Sequence, residues 1–313
     1  MVKVAIAGGT GGVGRAIVDA FKDQTTHKFI VLSRKENPEF EVQFNAPVVK
    51  IDYSTPSSVQ KTLDEHQVHT VISAVSLQFQ GQSDAQITLI RGAAASSHVK
   101  RFAPSEFGIP YKQKHGEVFP IAAFKSAAVA ELDKTDLEYT LFSNGYFMDY
   151  LGIPKFKSYL TPVLVGLDIQ NKFAGIPGSG NTPVIFTSTK DVGKFVVASV
   201  GLEKWNRKSM AVGDRKSWNE ILAIAEKITG TKFEVHYDSV EKLMTGQITE
   251  LPSHRNLYQF FPKEALQGVF ALFGLWFDSG DFNFEVSEEE SLNELFPEIQ
   301  PISIVQVINE GWA

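Results

Sequence analysis

The sequence predicts an α/β fold: a doubly wound parallel sheet of the Rossmann type with a second, smaller C-terminal α/β region. Three observations predict it. Short β-branched runs alternate with helical patterns through the first half, as βαβ units feeding a parallel sheet require. The first unit carries GGTGGVG between an apolar run and a helix, where a tight strand-to-helix turn is needed. Beyond about Tyr150 the alternation gives way to pieces punctuated by Pro and Gly.

In chain order, the expected strands are Val2–Ala7, Lys28–Leu32, Pro47–Ile51, Thr70–Ala74, Lys100–Ala103 and Glu138–Phe142. Between them lie helical stretches at Val13–Lys22, Ser57–Glu65, Ala85–Ser96 and Ala122–Lys134. In the second region, KFAGIPGSGNTPVIF reads as a hairpin around Pro177–Asn181. Capping boxes mark helix starts at Ser217, Ser303 and Ser287, each followed three residues later by Glu or Gln. The division expected is residues 1–150 for the first domain, with segments around 183–213 returning to it, and 151–313 for the smaller region. The run SEEES at Ser287–Ser291 reads as a solvated first turn.

Composition narrows the function classes. A chain of 313 residues that is 43% hydrophobic and 21% charged can bury a core without cross-links. It has no cysteine, which excludes disulfides, thiolate nucleophiles and thiolate metal sites. A net charge of −6 argues against a nucleic-acid partner and for a small molecule. The most apolar late stretch, GVFALFGLWF, is too short for a bilayer span and reads as buried or pocket-lining. No export signal is recognised at the N-terminus, so no membrane role and a cytoplasmic location are expected. The histidines show no metal-ligand spacing, and His66 and His69 straddle a helix end. Oligomeric state is not readable.

The glycine loop points to a dinucleotide. Gly8, Gly11 and Gly14 fall three residues apart: the first for the turn off the strand, the second for approach of backbone to a diphosphate, the third for close packing of the helix. Thr10, Gly12 and Val13 complete the cradle, with the diphosphate on the helix N-terminus. At the end of the second strand, IVLSRKE places Ser33, Arg34 and Lys35 where NAD-specific folds carry a carboxylate. A guanidinium can grip a 2′-phosphate bidentately, so NADP(H) is expected; Lys35 also fits a solvent-facing loop charge. Asp52 follows the third strand, near the adenine edge. Ala74, Val75 and Ser76 follow the fourth, where small residues let the cofactor backbone pass.

Two later stretches are KRFAPSEFG, from Lys100 to Gly108, and AAFKSAAVAELDKTDLEYTLFSNGYFMDY, from Ala122 to Tyr150. With GGTGGVG, IVLSRK, PGSGNTPVIFTSTKDVGKFV and FNFEVSEEESLNELFPEI, they resemble the isoflavone-reductase-like and NmrA-like branch of the atypical short-chain dehydrogenases, over nearly the whole chain. The resemblance implies NADPH on a Rossmann domain and a conjugated small molecule held against the smaller domain. It carries a catalytic lysine onto Lys125 and a nicotinamide-side loop onto Asn144 and Gly145. A lysine acid needs a lowered pKa, for which Phe124, Tyr146 and Phe147 are candidate dry neighbours. The alternatives for Lys125 are a surface helix lysine or a ribose contact. The Tyr-x-x-x-Lys pair of ordinary short-chain dehydrogenases is absent, because position 121 is Ile121. Tyr111 could substitute from a loop, or lie at the solvent edge. Ser105 could polarise a substrate oxygen, or close a turn after Pro104. The substrate pocket is expected from Phe107, Tyr146, Phe147 and Tyr150, with Phe156, Phe273 and Trp276 as further candidates.

Three functions fit these residues. The first is an NADPH-dependent reductase of a small conjugated carbonyl or aromatic substrate, assisted by Lys125. The second is a non-catalytic redox sensor acting through a protein partner. The third is an isomerase or dehydratase using the same site. Lys125 and the aromatic pocket favour the first.

Overall fold

A computed structural model describes residues 2–24 and 26–313. The chain divides into two compact units: Met1–Ser143 with Thr189–Ala211 and Val286–Ile299, and Asn144–Ser188 with Val212–Glu285 and Gln300–Ala313.

The first unit holds strands β1 (Lys3–Ala7), β2 (Lys28–Ser33), β3 (Val48–Lys50), β4 (Thr70–Ser73), β5 (Arg101–Ala103) and β6 (Glu138–Tyr139) in one six-stranded sheet of order β3-β2-β1-β4-β5-β6. All its pairings are parallel. This is the doubly wound order, and its switch falls between β1 and β4. Helices α1 (Gly12–Lys22), α2 (Pro38–Phe44), α3 (Pro56–Glu65), α4 (Gln80–Ala95), α5 (Gln113–Gly116) and α6 (Pro120–Leu132) connect the strands. Later α7 (Thr189–Val200) packs against α1, while α3, α4 and α6 pack side by side. Right-handed crossovers put these two groups on opposite faces of the sheet. The period of two along β1 follows from this sandwiching: Ala5 and Ala7 join Val59, Leu63, Leu89 and Ala128 in one core.

Four differences from the sequence expectation have local causes. The run Glu138–Phe142 is two strands, because β7 (Leu141–Ser143) leaves β5 and pairs with β12 (Lys208–Met210). Buried Thr140 and Ser209 join hydroxyls at 2.7 Å at that break. The fourth-strand helix begins at Gln80 instead of Ala85, since Gln82 Oε1 accepts from the Phe79 N–H at 3.1 Å. The unpredicted α2 is capped by Asn37, whose Oδ1 accepts from the Phe40 N–H, with Pro38 at its first position. No helix starts at Ser287; Glu288–Glu290 form a turn, and Ser291 instead caps α11 (Leu292–Leu295).

In the second unit, β8 (Tyr146–Phe147), β11 (Val184–Thr187) and β13 (Asp214–Lys216) form one sheet, while β9 (Gly166–Asp168), β10 (Phe173–Pro177) and β14 (Glu234–Asp238) form another. The expected hairpin around Pro177–Asn181 is therefore absent. β10 pairs with β9 and β14, and Gly178 N–H continues that pairing by donating to the Asp238 carbonyl at 2.8 Å. The chain then passes to the other sheet as β11. Ser217 and Ser303 do form capping boxes, on α8 (Trp218–Thr229) and α12 (Ile304–Trp312), which pack together. Helices α9 (Val240–Met244) and α10 (Lys263–Asp278) also pack together. The stretch GVFALFGLWF lies in α10, with Phe270, Trp276 and Phe277 buried. Among the described residues no helix is long and apolar enough to cross a membrane.

Candidate functional site

A cleft of about 1130 Å³ opens at the carboxyl end of the first unit's sheet, on the β1/β4 switch. Gly8, Thr10, Ser33, Arg34, Lys35, Val75 and Ser76 line it, so the glycine loop and the cation pair share one wall system. A Cβ on Gly11 would meet nothing within 4 Å, whereas one on Gly14 would lie 2.2 Å from the Gly8 carbonyl oxygen. Gly14 thus lets α1 close onto the glycine loop rather than onto the sheet. Gly8, at φ +78°, leaves only 2.5 Å between such a Cβ and the Ala74 carbonyl oxygen. Gly8→Ala is accordingly expected to cost about 2 kcal/mol or more, read as a lower urea midpoint. The first turn of α1 leaves the N–H groups of Gly12, Val13 and Gly14 without intrahelical acceptors, and N-cap Gly11 has no side chain to supply one. The arrangement suits a bound anion.

Tyr53, Phe79, Glu36 and Asn37 also line the cleft. None was anticipated. Phe79 is 65% exposed, an unusual position for a large aromatic ring. Burial pushes the Tyr53 phenol up to about 12, with Arg34 opposing. Asp52 does not line the cleft: its carboxylate is turned back onto Ser54, accepting from both N–H and hydroxyl, and is held below its ordinary range by those bonds.

The PSEFG segment folds into a tie between strand ends. Ser105 Oγ donates to the Val75 carbonyl at 2.9 Å, and its N–H to Gln86 Oε1 at 2.9 Å. Ser105 therefore spends its proton on the neighbouring loop. Gln86 Oε1 also accepts from Ser73 Oγ, while its Nε2 is buried with no partner among the described residues. Phe107 stacks on Phe142 at 6.1 Å. Gly108 leaves room for the Tyr111 hydroxyl, 3.2 Å from where a Cβ would stand.

Lys125 stands on the buried face of α6 with Ala122, Ala128 and Leu132 and is only 6% exposed. It is not a surface lysine. Its Nζ donates to the Glu106 backbone carbonyl and lies 4.4 Å from the Tyr111 ring centroid. Glu106, which the sequence reading passed over inside a quoted motif, is 5% exposed. Burial lowers the Lys125 amine to about 8, with the Glu106 charge opposing, and raises the Glu106 carboxyl to about 7, with Lys125 opposing. Tyr111 and Glu106 border the buried amine. Tyr111 is half-buried, and burial raises its phenol well above the ordinary range.

In the second unit Tyr146 is a core residue. It is 6% exposed, its ring meets those of Tyr150, Phe186, Trp218, Phe277 and Phe282, and its hydroxyl donates to the Val163 carbonyl at 3.1 Å. Phe156 and Trp276 are buried too. Five aromatic contacts enclose the Tyr146 ring. Phe147, Tyr150 and Phe273 are half-buried. Asn144 is buried, with Oδ1 unpartnered among the described residues. Gly145, at φ +71°, has its own steric reason: a Cβ there would lie 2.1 Å from the Ile185 carbonyl oxygen. Among the described residues no cluster of His, Asp and Glu could hold a metal.

Residues 2–303 match the family model described as NmrA-like family. The chain is 49% identical over 302 residues to the oxidoreductase BOA1 of Botryotinia fuckeliana (strain B05.10), covering 96% of each. It is 27% identical to an isoflavone reductase-like protein of Olea europaea, covering 98% of each. Its fold matches the binary complex of leucoanthocyanidin reductase and NADPH from Vitis vinifera with a TM-score of 0.76 at 21% identity, covering 98% of each chain. The chain belongs to the NmrA-like family and is an oxidoreductase.

Proposed function

We propose that the protein is an NADPH-dependent reductase of a small conjugated carbonyl or aromatic substrate, with Lys125 assisting at the substrate oxygen. The observation that carries this reading is Lys125 itself: a buried amine whose proton affinity is brought towards neutrality, on the helix that follows the PSEFG loop. A redox sensor would have no use for such a group. The lining of the cleft supports NADPH, since Gly8 and Thr10 of the loop that leads into α1 and the Arg34–Lys35 pair share it. The fold match to an NADPH complex supports the same cofactor.

NADPH, when bound, supplies a hydride to an electrophilic carbon. The remaining work belongs to the chain. Gly12, Val13 and Gly14 N–H groups hold the diphosphate, while Arg34, seconded by Lys35 and Ser33, holds the 2′-phosphate. Thr10, Gly8, Ala74, Val75 and Ser76 shape the passage. Lys125, as an ammonium, donates a hydrogen bond and then a proton from Nζ to the oxygen on which negative charge develops. Ser105 acts indirectly, by fixing the loop that carries Glu106. In the second unit, Phe147 and Tyr150 are the candidates for contact with an aromatic substrate.

The test is NADPH consumption with a panel of enones, quinone-like carbonyls and benzylic ethers. At least one class is expected to turn over. Tight NADPH binding with no turnover across the panel would contradict the reading.

A further inference from the structure

Glu106 carries a carboxylate that no step above uses. It is 5% exposed, and burying an ionisable group without compensation is costly. The Lys125 amine is the opposite charge beside Glu106. The same residue's backbone carbonyl accepts from Lys125 Nζ, the amine is itself 6% exposed, and the Tyr111 ring covers it at 4.4 Å. Ser105, immediately before Glu106, is pinned by its hydroxyl to Val75 and by its N–H to Gln86. The backbone of Glu106 is therefore held beside the amine by the tie between the β4 and β5 ends, and its buried side chain starts from that fixed point.

We propose that Glu106 is a positioning residue that sets the proton occupancy of Lys125: its buried negative charge keeps the amine in the ammonium form that the substrate oxygen requires. The role in turnover rests on the reading of Lys125 as proton donor; the coupling of the two side chains does not. Other charged and titratable groups lie on the elements packed against α6. Arg91 on α4 pairs with Glu131 at 2.6 Å at the far end of α6. The loop and turn around α5 carry Lys112, Lys114, His115 and Glu117, of which His115 meets the edge of Tyr111 at 5.9 Å. Burial and the Glu106 charge act on the Lys125 amine in opposite directions.

The sign follows directly. An ionised Glu106 raises the proton affinity of Lys125, so neutralising it leaves burial unopposed and the amine loses its proton at lower pH. The expected shift for losing a close opposite charge is about one pH unit or more. The proton step itself is balanced: one N–H bond of Lys125 breaks and one O–H bond forms on the substrate.

The experiment follows the 13Cε resonance of Lys125 by NMR in lysine-labelled protein, assigned with Lys125→Arg, alongside the pH profile of kcat. In E106Q the Lys125 titration and the alkaline limb of kcat are both expected to move to lower pH by about one unit or more. E106D, which keeps the charge, is expected to show a smaller shift and most of the activity. An unshifted Lys125 titration in a folded variant that removes the charge, E106Q or, if that fails to fold, E106A, would overturn the proposal, whatever happens to kcat. A shifted titration in a protein that reduces nothing would support the coupling while removing the reductase reading.

Discussion

Lys125→Ala is expected to lower kcat by about 10²–10³-fold, the usual loss when a general acid or a developing-oxyanion donor is removed. NADPH affinity is expected to change little, because the proposed diphosphate and 2′-phosphate contacts come from α1 and from the loop after β2, not from α6. The pairing of these two results discriminates between roles. A lysine that only held the nicotinamide ribose would weaken NADPH binding along with turnover. Lys125→Arg is not expected to restore activity: a guanidinium keeps the charge but does not release its proton near neutral pH. Steady-state kinetics combined with a fluorescence titration of NADPH would separate the cases. Unchanged kcat in Lys125→Ala would remove the lysine from the chemistry.

Arg34→Ala is expected to raise the NADPH dissociation constant by about 10–100-fold and to leave NADH binding almost unchanged, so that the preference between the two collapses. The magnitude is that of charge-assisted hydrogen bonds lost to a dianionic group. Lys35→Ala should have a smaller effect, since a flexible ammonium contributes charge without bidentate geometry. Isothermal titration with both dinucleotides at fixed ionic strength is the measurement. Equal weakening of NADPH and NADH would assign Arg34 to stacking or loop structure rather than to the phosphate. Glu36, on the same wall, is the residue to replace next if NADH binding proves appreciable.

The parts of the fold that could be read in the sequence are those with strong periodicity and obligatory geometry. The β1–α1 turn was legible because glycine alone tolerates the approach of Gly8 to Ala74 and of Gly14 to Gly8. The division of Glu138–Phe142 was not, because one apolar run serves two partners and only tertiary pairing says where it changes hands. The absent hairpin at Pro177–Asn181 failed for a related reason: a turn-rich sequence specifies a reversal, not which strand receives it. In the site, Arg34 and Lys35 were legible as departures from a carboxylate pattern. Glu106 was not, although PSEFG was in view, because a Glu in a polar loop carries no mark of burial. Its signal lay in the apolar flanks Phe102–Ala103 and Phe107, which leave little room for a solvated side chain. Tyr146 was misplaced for the opposite reason, as an aromatic residue beside a suspected site that in fact packs into the core.

The central claim, that this member of the NmrA-like family reduces its substrate directly with NADPH, is tested most directly by label transfer. With a substrate identified from the panel and NADPH deuterated at the nicotinamide C4 position, mass spectrometry of the product follows the hydride. The account predicts a product one mass unit heavier from one of the two C4-deuterated epimers and not from the other, with the rate of transfer lowered about 10²–10³-fold in Lys125→Ala. A converted product that carries no deuterium from either epimer would contradict it.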